Sequence, residues 1–68
     1  MSKGTVKYFS DSKGWGFIAS DYSEHDVYVH YTAIEMDGYR TLREGQQVLY
    51  DLVQTDNGLR AARVIPAP

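Results

Sequence analysis

Four flat side chains stand at alternate positions in two short stretches of this chain: Trp15 and Phe17 in the first, Tyr28 and His30 in the second. Alternate residues of an extended backbone share a face, so each pair projects in one direction. Grouped rings offer π surface on which a planar ligand can stack. Lys7 and Lys13 precede the first pair and bring positive charge beside it. Stacking, helped by a little charge, is the chemistry these residue types and spacings support.

Other chemistries need residues the sequence does not bring together. A zinc site takes three or four convergent ligands, whereas His25 and His30 fall on opposite faces of a strand and there is no cysteine. A nucleophile needs an adjacent base and a third group to orient it. Ser10, Ser12, Ser20 and Ser23 all fall in turn-like sequence with no such partners. Gly14-x-Gly16 lacks the following helix and the Gly-Lys-Ser/Thr of a phosphate loop. Its glycines are expected instead where backbone must approach closely. The acids read as a solvated face, and paired-carboxylate hydrolysis needs a cleft too deep for so short a chain. No catalytic, cofactor or metal residue is assigned, and the chain is not expected to be an enzyme.

Composition sharpens the point. At 68 residues the chain makes one domain with a thin core. Yet it carries six Tyr, two Phe and one Trp, more aromatic surface than such a core needs. A net charge of −2 argues against a crude polyelectrolyte binder. That charge is uneven: Lys3, Lys7 and Lys13 outnumber Asp11 at one end, Arg60 and Arg63 mark the other, and the remaining acids crowd residues 21–56. Apolar runs are short, which predicts no membrane span and no signal-peptide core, hence a cytoplasmic protein.

The elements that must position the rings read as strands. Thr5–Ser10 is rich in β-branched and aromatic residues, and Asp11-Ser12-Lys13-Gly14 follows as a turn. Trp15–Ser20 and Asp26–Tyr31 are the next strands, joined by a polar loop. Thr32-Ala33-Ile34-Glu35 is expected to form one helical turn capped by Thr32. Val48–Val53 alternates, with Val48, Tyr50 and Leu52 on one side. Asp56-Asn57-Gly58 predicts a type I′ hairpin turn, and a fifth strand runs from Leu59 to Ile65. The Pro66-Ala67-Pro68 tail is expected to fray. Five short strands without an amphipathic helix predict an all-β, five-stranded antiparallel barrel, whose closure removes exposed edges.

In such a barrel Ile18, Val27 and Val29 face the core. By elimination, Trp15, Phe17, Tyr28 and His30 share the opposite face, with no helix to cover it. Rings left facing solvent form a platform for nucleic-acid bases. Two structural readings stand beside this one: a second core layer under the 32–45 loop, and cross-strand pairs serving only to hold the sheet.

Lys13-Gly14-Trp15-Gly16-Phe17-Ile18 resembles the RNP1 motif, and Val27-Tyr28-Val29-His30-Tyr31 resembles RNP2 of the cold-shock domain. Gly4-Thr5-Val6-Lys7-Tyr8-Phe9, Gly38-Tyr39-Arg40-Thr41-Leu42, Glu44-Gly45-Gln46 and Ala61-Ala62-Arg63-Val64 fit the same family in order, so the resemblance spans nearly the whole chain. RNA-recognition motifs share an RNP1 but interleave amphipathic helices, which are absent here. The resemblance implies one cold-shock domain over 1–68, an OB-fold barrel that binds single-stranded RNA and DNA, with a preference for pyrimidine-rich stretches. It implies an RNA chaperone or antiterminator. Carried over, the stacking positions are Tyr8, Phe17, Tyr28, His30, Tyr31 and Tyr39, with Trp15 beside them and Phe9 at the edge. Lys7 and Lys13 would neutralise phosphates, and Asp26 would accept a hydrogen bond from a base.

Simple alternation puts Tyr8 with core Val6, so its outward placement rests on the resemblance alone. Departures from the family pattern include Tyr8 for Trp, Ser10 for Asn, and Tyr for Phe at 28, 31 and 39. Arg60 puts a cation where a neutral amide is usual, at the flank of the aromatic face. A monomer is expected, with strand swapping through the 32–45 loop as the alternative. The competing functional reading is a β-barrel module that binds a peptide or protein through the aromatic face.

Overall fold

The computed structural model describes residues 1–21 and 24–68. Tyr22 and Ser23, in the loop expected after the second strand, lie outside the described residues. The described residues form five strands: β1 (Ser2–Ser10), β2 (Trp15–Ser20), β3 (Asp26–His30), β4 (Gln47–Thr55) and β5 (Gly58–Pro66). They close into a barrel in the order β1-β2-β3-β5-β4. Every junction is antiparallel except the closing one, where β3 and β5 run parallel at Tyr28 and Arg60. The expected all-antiparallel arrangement is corrected at that one seam.

Alternating β-branched residues build the core. Val6, Ile18, Val27, Val29, Val48 and Val64 are buried together, with Ala33, Ile34 and Leu42 added from the segment between β3 and β4. Fully burying a Val or Ile side chain contributes about 1.5–3 kcal/mol, so this aliphatic set is the main source of stability. The 32–45 segment therefore sends its apolar residues into the barrel. It does not lie over the rings as a second layer.

Several expectations are revised by backbone detail. Pairing of β1 with β2 slips between Val6 and Tyr8, so Val6 faces Ile18 while Tyr8 faces Phe17. The extra residue, Lys7, reverses the alternation and turns Tyr8 outward. The 3-10 turn spans Tyr31–Ala33 and is capped by His30, whose side chain accepts from the Thr32 N–H; Thr32 is not the cap. Leu52 does not join Val48 and Tyr50 in the core but is 49% exposed. β1 pairs with β4 only as far as Tyr50, so beyond that point β4 has a neighbour on one side only.

The last hairpin is also built differently. Neither Asp56 nor Asn57 has a positive φ, which excludes the type I′ turn, and Gly58 alone takes φ +122°. Thr55 Oγ1 secures the turn by accepting from Asn57 N–H and donating to Gly58 O at 2.8 Å. At the C-terminus, Pro66 ends β5 and Ala67 N–H donates to Gln47 O at 2.9 Å, so the chain is held further than the prolines suggested.

Two features make the scaffold testable. Tyr50 is fully buried, and its hydroxyl has no hydrogen-bond partner among the described residues. Leaving a buried hydroxyl unsatisfied is costly, so Tyr50→Phe should raise the unfolding free energy by about 1 kcal/mol. A loss of stability in urea denaturation would contradict this. Separately, Arg63 Nε and Nη2 donate to the two Glu35 carboxylate oxygens at 3.0 and 3.2 Å, tying the segment after the 3-10 turn to β5. The hydrogen bonds from Arg63, and then its charge, hold the Glu35 carboxyl below its ordinary value. A carboxyl depressed in the folded state stabilises above the unfolded-state value and stops doing so as pH falls through the folded one. The melting-temperature gap between wild type and Glu35→Gln should therefore be open at neutral pH and close in acid. A gap that stays constant into acid would contradict the pairing.

Candidate nucleic-acid interface

The outer face of β1, β2 and β3 gathers the rings. Trp15 faces His30 and Phe17 faces Tyr28 across the β2–β3 ladder. Trp15 and Phe17 lie 5.9 Å apart edge-on, Phe17 and Tyr28 6.0 Å, and Trp15 and Tyr28 6.4 Å. The slip at Lys7 adds Tyr8, whose ring meets Trp15 edge-on at 6.2 Å and is 46% exposed. Trp15, Phe17, Tyr28 and His30 are all half-buried. Edge-to-face pairs at this spacing contribute about 0.5–1.5 kcal/mol each. The rings thus hold one another and the sheet in place while part of each remains open to solvent.

Phe9 behaves differently. One residue past the slip, it pairs with Gly16 and packs half-buried against the core cluster, behind the rings. Close approach makes this possible: a Cβ at Gly16 would fall 2.0 Å from the Tyr8 carbonyl oxygen. The glycine-permitted contact read from sequence is present here.

A second group extends the face past His30. Tyr31 packs at 4.7 Å from the His30 ring and is exposed. Its N–H donates to Gly14 O at 2.8 Å. Gly14 has φ +78°, and a Cβ there would lie 2.7 Å from Tyr31 Cδ1. Tyr39 is 69% exposed, and its hydroxyl donates to Asp11 O at 2.9 Å. The Thr41 hydroxyl donates to the Asp11 carboxylate, so the loop is tied to the β1–β2 turn at two points. Between loop and turn lies a cavity lined by Lys13, Gly14, Tyr31, Tyr39 and Arg40. Arg40 was not singled out from sequence. It sits in the acid-rich middle of the chain, and its position next to Tyr39 was the signal available.

The cations differ in how free they are. Lys7 Nζ donates to Asp26 Oδ2 at 3.1 Å, which partly compensates Lys7 and gives Asp26 a partner. Lys13, Arg40 and Arg60 enter no ion pair among the described residues. Arg60 lines a separate cavity with Phe17, Tyr28, Thr55, Asn57 and Leu59. The rings thus lie between Arg60 on one side and Lys13 with Arg40 on the other.

Comparison with known proteins places this geometry. Residues 2–67 match the family of the 'Cold-shock' DNA-binding domain. This chain belongs to the cold-shock domain family. It is 48% identical over 66 residues to the cold shock-like protein CspD of Vibrio cholerae, covering 97% of this chain and 87% of that protein. It is 48% identical over its full 68 residues to the cold shock-like protein CspA of Stigmatella aurantiaca, covering 100% of both. Against CspD of Escherichia coli K12 the identity is 47% over 66 residues, covering 97% of this chain and 89% of that protein. Among solved structures, drosophila Unr CSD456 superposes with a TM-score of 0.80 at 21% identity. That match covers 98% of this chain but only 26% of the other, and it shows the shared OB-fold.

Cold-shock domains bind single-stranded nucleic acid and are not enzymes, so the chain is a nucleic-acid-binding domain. No helix among the described residues is long and apolar enough to cross a membrane. Within the domain, Gly14 is the joint that seats Tyr31 against the β1–β2 turn. Gly14→Ala should cost roughly 1–2 kcal/mol for the left-handed backbone alone, with more from the clash with the Tyr31 ring. Unchanged stability in urea would show that the turn relaxes freely.

Proposed function

We propose that this cold-shock domain binds single-stranded RNA and DNA by stacking bases along the ring-bearing face. The observation that supports this most is the half-exposure of Trp15, Phe17, Tyr28 and His30 over a core made almost wholly of other residues. Tyr8 extends the platform at one end, and Tyr31 and Tyr39 extend it at the other. Phe9 backs it from within. Duplex bases already stack on one another, and no α-helix among the described residues is available to enter a major groove. A single strand alone offers free base faces. Pyrimidine-rich segments are the expected ligands, consistent with the resemblance. Captured bases are withheld from pairing, which is the physical basis for a cytoplasmic RNA chaperone or antiterminator that melts weak secondary structure. The domain acts as a monomer.

Charge plays the smaller part. Lys13 neutralises phosphates, Arg60 flanks the rings, and Lys7 shares its charge with Asp26, which also accepts from a base edge. With two to four phosphate contacts, the slope of log K against log salt should be about −1.4 to −2.8, from roughly −0.7 per contact on single strands. A much steeper slope would contradict stacking as the main term. Phe17→Ala and Tyr28→Ala should each weaken oligo-dT binding by about 5- to 150-fold, equivalent to roughly 1–3 kcal/mol per stacked base. Circular dichroism should show the barrel still folded in both. If both variants bind oligo-dT as tightly as wild type, the face serves another partner, such as a peptide.

A further inference from the structure

The space beside Phe17 and Tyr28 carries chemistry that stacking does not use. Tyr28 pairs with Arg60 at the parallel seam, and the Arg60 side chain is exposed with no ion pair among the described residues. An adjoining cavity shares Phe17, Tyr28, Asn57 and Leu59 and is bordered by Asp26, two residues before Tyr28 on the same strand face. Asp26 uses Oδ2 for Lys7. One pair of rings is therefore flanked by a fork of donors and by an acceptor-only carboxylate.

A base stacked on those rings turns its edges toward both groups. A guanidinium needs two adjacent acceptors, and guanine provides them in O6 and N7. A carboxylate needs donors, and the other edge of guanine carries N1–H and the N2 amino group. Adenine sets its N6 amino group beside N7, so it opposes a donor with a donor. Thymine and uracil interpose N3–H between their carbonyls. Cytosine gathers its acceptors and its amino group on a single edge. Guanine alone offers two adjacent acceptors to a guanidinium and a pair of donors to a carboxylate.

We propose that Arg60, with Asp26 bordering the same rings, makes the Phe17–Tyr28 ring pair a guanine-selecting position within a strand otherwise held by stacking. This rests on the reading that bases stack on that face. It departs, at one position, from the pyrimidine preference implied by the resemblance. The departure follows from an arginine that is free to donate.

The test is a set of short oligo-dT strands in which a single dG is moved through each position, titrated against wild type and Arg60→Gln. Wild type should bind one member about tenfold more tightly than plain oligo-dT. The gain should vanish in Arg60→Gln, and also when that guanine is replaced by 7-deazaguanine, which lacks N7. If Arg60→Gln weakens plain and guanine-containing strands by the same factor, Arg60 serves a phosphate and the guanine assignment is overturned. Tight binding by wild type with no preferred dG position overturns it as well, while leaving the stacking reading intact. Failure of wild type to bind any strand overturns both.

Discussion

The close approach of β1 and β2 at Gly16 is the constraint on which the rest depends. The Tyr8 carbonyl occupies space that any Cβ at position 16 would need. Because Gly16 leaves that space empty, β1 can pair with β2 through a one-residue slip and still close the barrel with β4. The slip sets the inventory of both faces. Val6 stays with the aliphatic core, Tyr8 joins the rings outside, and Phe9 returns inward opposite Gly16. With the extra residue removed, Tyr8 would compete for core volume and the ring face would lose one end.

A chain this small is forced into a division of labour. Its core is filled by Val, Ile, Leu and Ala, and Tyr50 is the one aromatic member among the described residues. Even Tyr50 fits imperfectly, since its hydroxyl has no partner among the described residues. The other described rings are left to the outside or to its border, where they hold one another edge-on and keep part of their surface free. Net charge is a poor guide to such a surface. The acids of the middle segment are drawn partly into pairs with Lys7 and Arg63, while Lys13, Arg40 and Arg60 enter no ion pair among the described residues. A protein of net charge −2 can therefore present local cations where they matter and avoid indiscriminate attraction elsewhere.

What was legible in the sequence was whatever strict alternation governs. Ile18, Val27 and Val29 against Trp15, Phe17, Tyr28 and His30 could be sorted by periodicity alone, because β2 and β3 pair without a slip. The barrel followed from strand count and the lack of a helix. Tyr8 and Phe9 could not be sorted this way, since a bulge leaves little mark on composition, and Tyr8 was placed outward only by family resemblance. Leu52 misled because alternation says which side a residue faces but not where neighbouring strands end. The cap at His30 and the turn at Asn57 depend on single φ angles and one imidazole contact, which residue preferences describe only on average. The Lys7–Asp26 pair and the nearness of Arg60 to Tyr28 are long-range consequences of closure, invisible until the register is known.

Stacking on the outer rings is the interaction proposed to hold single strands. Trp15 is the only tryptophan and stands among those rings, so its emission reports directly on the face. Titration with oligo-dT at low salt, beside a duplex of equal length, is the most direct measurement. Stacking on the rings should give strong, saturable quenching by the single strand and little by the duplex. Emission unmoved by oligo-dT, or moved equally by the duplex, would contradict it.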